Sequence, residues 1–323
     1  MAHGTIATGA EWLSIYGKPA KINDIISVRL GDLHPTQPSI GFDRIYYKLG
    51  RYAKDRQKVF DEYCEKNGQK GIRTFTFNSV LQDSHTYTCW ERVGMDRSAH
   101  KTVVIGPDNK LYLTDGHHTF NAFWEVPGGG ADLRVYVVVT RDYRDYASMD
   151  EFWKQMEVEN NVWLLDADGR PITPDQLPAS LGLDFFSDDI YRNLMYFTRR
   201  IAWIAPGDMS VPEPEFYGDN YPDFPFLEFH WAKEIRKTVD LSTYDLNSRE
   251  GYISAIRAVG KAMMDIRTLD VGGLTKTAEE MGQFKYFNNR ELARIDRPGT
   301  GKLAYMLSYK ASLKKKAAQT AVR

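Results

Sequence analysis

The sequence predicts an α+β protein: a small domain of strands and helices over residues 1–145, then a mainly helical region over 146–323. Three observations predict it. Strand and helix signals alternate through the first half. A Gly-Pro-Asp-Asn turn at 106–109 separates two short apolar runs. After about residue 145, helix-period patterns dominate.

Taken in order, Ile25-Ile26-Ser27-Val28-Arg29-Leu30 reads as a strand that runs into the turn-rich Leu33-His34-Pro35-Thr36-Gln37-Pro38. Apolar residues from Phe42 to Cys64 recur near helical spacing, and Gly68 and Gly71 end the pattern. Thr74 to Phe77 predicts a short strand. Thr102–Ile105 and Lys110–Leu113 flank the Gly106–Asn109 turn as a hairpin. The second of these strands passes through Thr114-Asp115-Gly116 into His117–Glu125, which has helical composition, and Gly128-Gly129-Gly130 stops it. Leu133–Val139 is nearly continuous in apolar character and suits a central, doubly covered strand. Helices are expected over 148–160, 187–204, 226–238, 247–267 and about 299–318.

Composition excludes several classes. Apolar residues make up 42% and aromatics 13%, enough for a packed core rather than disorder. Lys+Arg of 42 against Asp+Glu of 43 leaves a formal charge of −1, which argues against long duplex contacts held by a large positive charge. No stretch approaches the roughly 20 apolar residues of a membrane-spanning helix. No repeat points to a solenoid or propeller. Two cysteines are too few for a disulfide scaffold or a four-thiolate metal site. A start at Met1 without a basic and apolar leader suits a cytoplasmic protein, or an exported one whose signal has been removed. In the first case Cys64 and Cys89 are free thiols, and in the second they can form one disulfide.

The segment with the most chemistry is Leu113-Thr114-Asp115-Gly116-His117-His118-Thr119. A strand ends in a glycine turn and a helix begins at once, so unpaired amides and the positive end of the helix dipole favour an anion there. Imidazoles at that point can donate to phosphate oxygens or take a proton near neutral pH. A plain structural reading stands beside it: Asp115 as helix cap, Gly116 as turn residue, one histidine packed in the core. The two histidines do not make a metal site, because neighbouring helical positions diverge by about 100° and no second His or Cys pair has ligand spacing.

The glycine turn and the upstream Leu33–Pro38 turn together resemble the ParB/sulfiredoxin superfamily, in particular its ParB-like nuclease branch. The resemblance spans roughly residues 24 to 145, with parts of the helical tail shared as well, and implies a small mixed sheet with helices. Sulfiredoxins carry a catalytic cysteine where this chain has His117, so sulfinic acid reduction is not expected. Chromosome-partitioning members carry an arginine where this chain has Thr119, and residues 146–323 show no helix-turn-helix, so a partition-type nucleotide clamp is not expected either. Free-serine kinases of the same superfamily transfer a phosphoryl group from a nucleotide.

The resemblance implies a phosphate-handling enzyme acting on a phosphodiester or nucleotide at the Asp-Gly-His-His-Thr turn. His117, His118, Asp115 and His34 are then the candidate catalytic residues, and Gly116, Thr119, Gln37, Thr36 and Lys48 the candidate ligand-binding ones. Asp115 would orient an imidazole or hold magnesium through water, and a nucleotide is the other cofactor this chemistry would use. A nucleotide or nucleic-acid phosphate is the implied partner. The alternatives are a nucleotide-dependent small-molecule kinase and a non-catalytic nucleotide-binding or interaction protein.

Supporting residues come with bland readings of their own. Arg44, Lys48 and Arg51 share one helix face, within a stretch (42–73) of nine Lys/Arg and five Asp/Glu; a solvated face has the same pattern. His100 and Lys101 precede the hairpin and could reach the same pocket. The run 208–228 holds Asp208, Glu213, Glu215, Asp219, Asp223 and Glu228 without a Lys or Arg, either a substrate-gating loop or an acidic surface. Lys314-Lys315-Lys316 reads as a solvated end.

Overall fold

The computed structural model describes residues 11–205 and 225–321. In chain order the described residues form β1 (Ile25–Arg29), β2 (Leu33–Pro35), β3 (Ser39–Ile40), α1 (Phe42–Lys54), α2 (Gln57–Lys66), β4 (Ile72–Thr74), β5 (Thr88–Cys89), β6 (Lys101–Ile105) and β7 (Leu111–Leu113). They continue with α3 (His117–Glu125), β8 (Arg134–Asp142), α4 (Met149–Val158), β9 (Ser187–Asp188), α5 (Ile190–Phe197), α6 (Leu227–Ile235), α7 (Arg249–Asp265), α8 (Asn289–Ile295) and α9 (Lys302–Ala321). The α+β class is the expected one.

The chain divides into two compact units that do not follow sequence order. The first holds residues through Pro38, Asp55–Leu164 and Ile172–Phe186; the second holds Ser39–Lys54, Leu165–Pro171 and the chain from Ser187 onward. The expected division at residue 145 is therefore not where the contacts divide. Helix α4 belongs with the sheet, and α1 belongs with the C-terminal helices.

The first unit is built on a five-stranded mixed sheet in the order β1-β8-β6-β7-β2. Strand β8 lies between β1 (antiparallel) and β6 (parallel), the interior place its apolar sequence called for. Val135, Val137 and Val139 are fully buried at alternate positions. The hairpin forms as read, with Val103 opposite Leu113 and Ile105 opposite Leu111. Leu33–Pro35, read as turn, is instead an edge strand parallel to β7. Proline is tolerated there because an edge strand leaves one side of its ladder unused. A second cluster (Tyr112, Tyr143, Phe152, Met156) seats α4 on Tyr112.

Two helices replace the single one read from Phe42 to Cys64. Asp55 ends the first and restarts the second: its carboxylate accepts from the Gln57 amide at 3.1 Å and its carbonyl from Lys58. Cys64, buried in α2, is bonded to Cys89 in β5.

The second unit is helical around Trp203, Trp231, Tyr252, Phe197 and Met263. Its helices start where Asp189, Ser248 and Asn288 accept hydrogen bonds from first-turn amides. Ser187–Asp188, expected as helix, pairs with β3, so α5 begins only after Asp189. Helix α8 was not anticipated; seven residues are too few for a clear period. Gly50 lets α1 approach the backbone of α9 at Tyr305, where any side chain would collide. Beside it the buried Asp43 accepts from Lys310 of α9 at 2.9 Å and from the Tyr252 hydroxyl of α7 at 3.0 Å. Of the acidic run, Asp208, Glu213, Glu215, Asp219 and Asp223 lie outside the described residues. Among those residues no helix is long and apolar enough to cross a membrane.

Candidate functional site

The glycine turn takes its shape from the end of the hairpin. Thr114 donates its amide to the Thr102 carbonyl at 2.9 Å, and the hydroxyls of Thr102 and Thr114 lie 2.8 Å apart, so the chain leaves β7 in one direction. Gly116 then adopts φ +113°, which L side chains rarely take, and caps α3. Asp115, one of the readings for the cap, does not cap the helix. Its carboxylate, about 60% exposed, accepts from Lys101 Nζ at 2.7 Å. The stem of Lys101 lies over Gly116: a β-carbon there would come within 2.6 Å of Lys101 Cγ. Lys101, a secondary candidate in the sequence, thus forms the rim of the turn.

His117 faces inward. The Thr36 amide donates to its Nε2 at 3.1 Å, while the Thr36 hydroxyl donates to the Leu113 carbonyl at 2.6 Å. An amide donor requires a lone pair on Nε2, so the ring is neutral with its proton on Nδ1. The ring also lies edge-on to Phe186, 6.5 Å between centroids. Trp163 donates its amide to the Thr36 carbonyl at 2.9 Å and holds the other side of that residue. One helical turn on, Asn121 donates Nδ2 to the His117 carbonyl at 2.8 Å and accepts the Gly182 amide on Oδ1 at 2.7 Å. This brace escaped the sequence reading. Its one available signal was the four-residue spacing from His117, which puts both on one helix face.

His118 and Thr119, in the first turn of α3, are buried, as is Gln37 beyond β2. His34 pairs in register with Tyr112, and the two rings lie 5.6 Å apart. Burial, and after it the Lys110 charge, lowers the His34 pKa below that of an ordinary imidazole, so it is uncharged at neutral pH. His100 packs against Gly68, its Nδ1 3.1 Å from the Asp96 carbonyl, and its contacts are with that segment. Lys48 is buried in α1 and belongs to the second unit, whereas the turn belongs to the first.

The structure therefore brings Thr36, Leu113 and His117 together, and separately Lys101, Asp115 and Gly116. Among the described residues no three His, Cys, Asp or Glu side chains gather as a metal site. Asp115 already answers to an ammonium.

Residues 26–237 match a family model described as "Putative ParB-like nuclease". The match runs well beyond residue 145, into the helical region. The crystal structure of protein Atu1540 from Agrobacterium tumefaciens is similar with a TM-score of 0.47 at 20% identity, over 75% of this chain and 92% of that one. No curated protein matches the chain.

Proposed function

Because this chain belongs to the ParB-like nuclease family, we propose that it binds and cleaves a phosphodiester at the turn from Asp115 to Thr119. The observation that carries the reading is the junction itself: a left-handed glycine at the head of a nine-residue helix, with the Lys101 ammonium beside it. A helix N-terminus and a lysine both favour an anion, and burial of the neighbouring groups strengthens that preference.

Within this reading the two histidines separate. His117 spends its Nε2 on the Thr36 amide and acts as a positioning residue, fixing where the helix starts. His118 is the candidate acid or base for the leaving oxygen. Lys101 neutralises the phosphate, and Asp115 holds Lys101 in place until substrate competes for it. A short or single-stranded substrate suits a chain of near-zero net charge.

The test is hydrolysis of bis(p-nitrophenyl) phosphate and of a short single-stranded oligonucleotide. His118→Ala should lower the rate at least 100-fold, and Lys101→Met should mainly raise KM, with both variants still folded by circular dichroism. No turnover by the native chain, or full turnover by His118→Ala, would refute the proposal. Nucleotide binding without turnover would leave a ligand-binding protein.

A further inference from the structure

Strand β4 carries a one-residue bulge. Ile72 pairs with Cys89 and Thr74 with Thr88, so Arg73 is an extra residue with no opposite in β5. Its side chain is exposed, and its guanidinium Cζ lies 5.5 Å from the centroid of the Trp90 ring. Along β5 and one residue beyond, Thr88 and Trp90 are exposed, while Cys89 between them is half-buried and bonded to Cys64 of α2. The Thr74 and Thr88 hydroxyls meet at 2.6 Å on the exposed side. Arg73, Thr74, Thr88 and Trp90 therefore make one solvent-facing surface: a flat ring, a cation over it and two hydroxyls.

The backbone beneath the ring is fixed. Trp90 donates its amide to the Gly71 carbonyl at 3.0 Å, and Glu91 donates to the Gln69 carbonyl at 3.2 Å. Gln69 Nε2 returns a bond to the Glu91 carbonyl at 3.3 Å. Trp90 is nonetheless 59% exposed. An aromatic side chain already held in place loses little freedom when a partner covers it. Nearby carboxylates are occupied elsewhere: Asp61 accepts the Ile72 amide at 3.1 Å, and Glu91 pairs with Lys70 at 3.7 Å. Arg73 has no ion pair among the described residues, and its contact is with the Trp90 ring.

We propose that this surface is a stacking platform for single-stranded nucleic acid, with a base on Trp90 and the adjoining phosphate on Arg73. It names the substrate class of the phosphodiester reading above and rests on it; the platform and the glycine turn belong to the same unit. Every unpaired base has a flat face that an aromatic side chain can cover, whereas bases in a duplex cover one another. A guanidinium serves both the ring and a phosphate oxygen. A protein partner would call for an apolar core around the ring, and here hydroxyls and a guanidinium surround it.

The experiment measures fluorescence anisotropy of a labelled oligothymidylate with the full chain, beside an abasic strand and a duplex of equal length. The oligothymidylate should bind about tenfold tighter than either. Trp90→Ala should weaken its binding about tenfold, Trp90→Phe should largely restore it, and Arg73→Met should weaken it with a shallower salt dependence. An oligothymidylate bound through Trp90 but never cut overturns cleavage at the glycine turn and leaves the platform standing. Equal affinity for the abasic strand or the duplex, or full affinity in Trp90→Ala, overturns the platform whatever is cut. Self-association of the chain that is lost in Trp90→Ala, without oligonucleotide binding, also overturns it and assigns the surface to a second copy.

Discussion

The backbone amide of Thr36 donates to Nε2 of His117 across 81 residues of sequence. That bond fastens the end of an edge strand to the start of a helix and fixes one histidine's tautomer. His117→Ala should cost about 2–4 kcal/mol, since it leaves a buried amide without its acceptor and a void beside Phe186. Urea unfolding checks this; an unchanged midpoint would mean that the bond contributes nothing to stability.

Gly116→Ala should destabilise by about 1–3 kcal/mol for two separable reasons: the positive φ and the approach to Lys101. A double-mutant cycle separates them. In a Lys101→Ala background the cost of Gly116→Ala should shrink but not vanish, because the backbone penalty remains.

The Cys64–Cys89 bond closes a loop with a sequence separation of 25 residues. Loop-closure entropy for that length predicts a loss of about 3 kcal/mol on reduction. Thermal melts with and without dithiothreitol, and the Cys64→Ala/Cys89→Ala double variant, should agree on the size of the drop.

Stability should rise with pH in the alkaline range. Lys302 titrates near 8 in the folded chain, against 10.5 for an ordinary lysine. Between these values the unfolded chain binds more protons, so raising pH favours the native state, and the charged form is a burden below about 8. Lys302→Met should stabilise the fold at pH 7 by no more than about 3 kcal/mol, seen as a higher Tm, and should flatten the rise between pH 8 and 10. A Tm that falls in this variant at pH 7 would show that the cation is adequately compensated.

Much of the fold was legible because its signals are local. The hairpin at 101–113, the strand at 134–142, the start of α3 and most C-terminal helices follow from period, turn residues and caps that lie within a few residues of one another. The misreadings have the same origin inverted. Leu33–Pro35 became a strand only because β7 lies beside it, and Ser187–Asp188 only because β3 does. The break at Asp55 had a local cause, but one hidden within a continuous apolar pattern.

For the site, the sequence by itself determined the family, the α+β class and the strand–glycine–helix junction, since these rest on motif order and short-range backbone preference. Which histidine nitrogen is occupied, that Lys101 covers Gly116, that Cys64 meets Cys89, and that Arg44, Arg199 and Lys302 gather at Tyr196 were decided by tertiary structure alone. Each of these pairs or groups joins residues distant in the chain. Their hydrogen bonds and charges act over a few ångströms of space, a separation that sequence spacing does not encode.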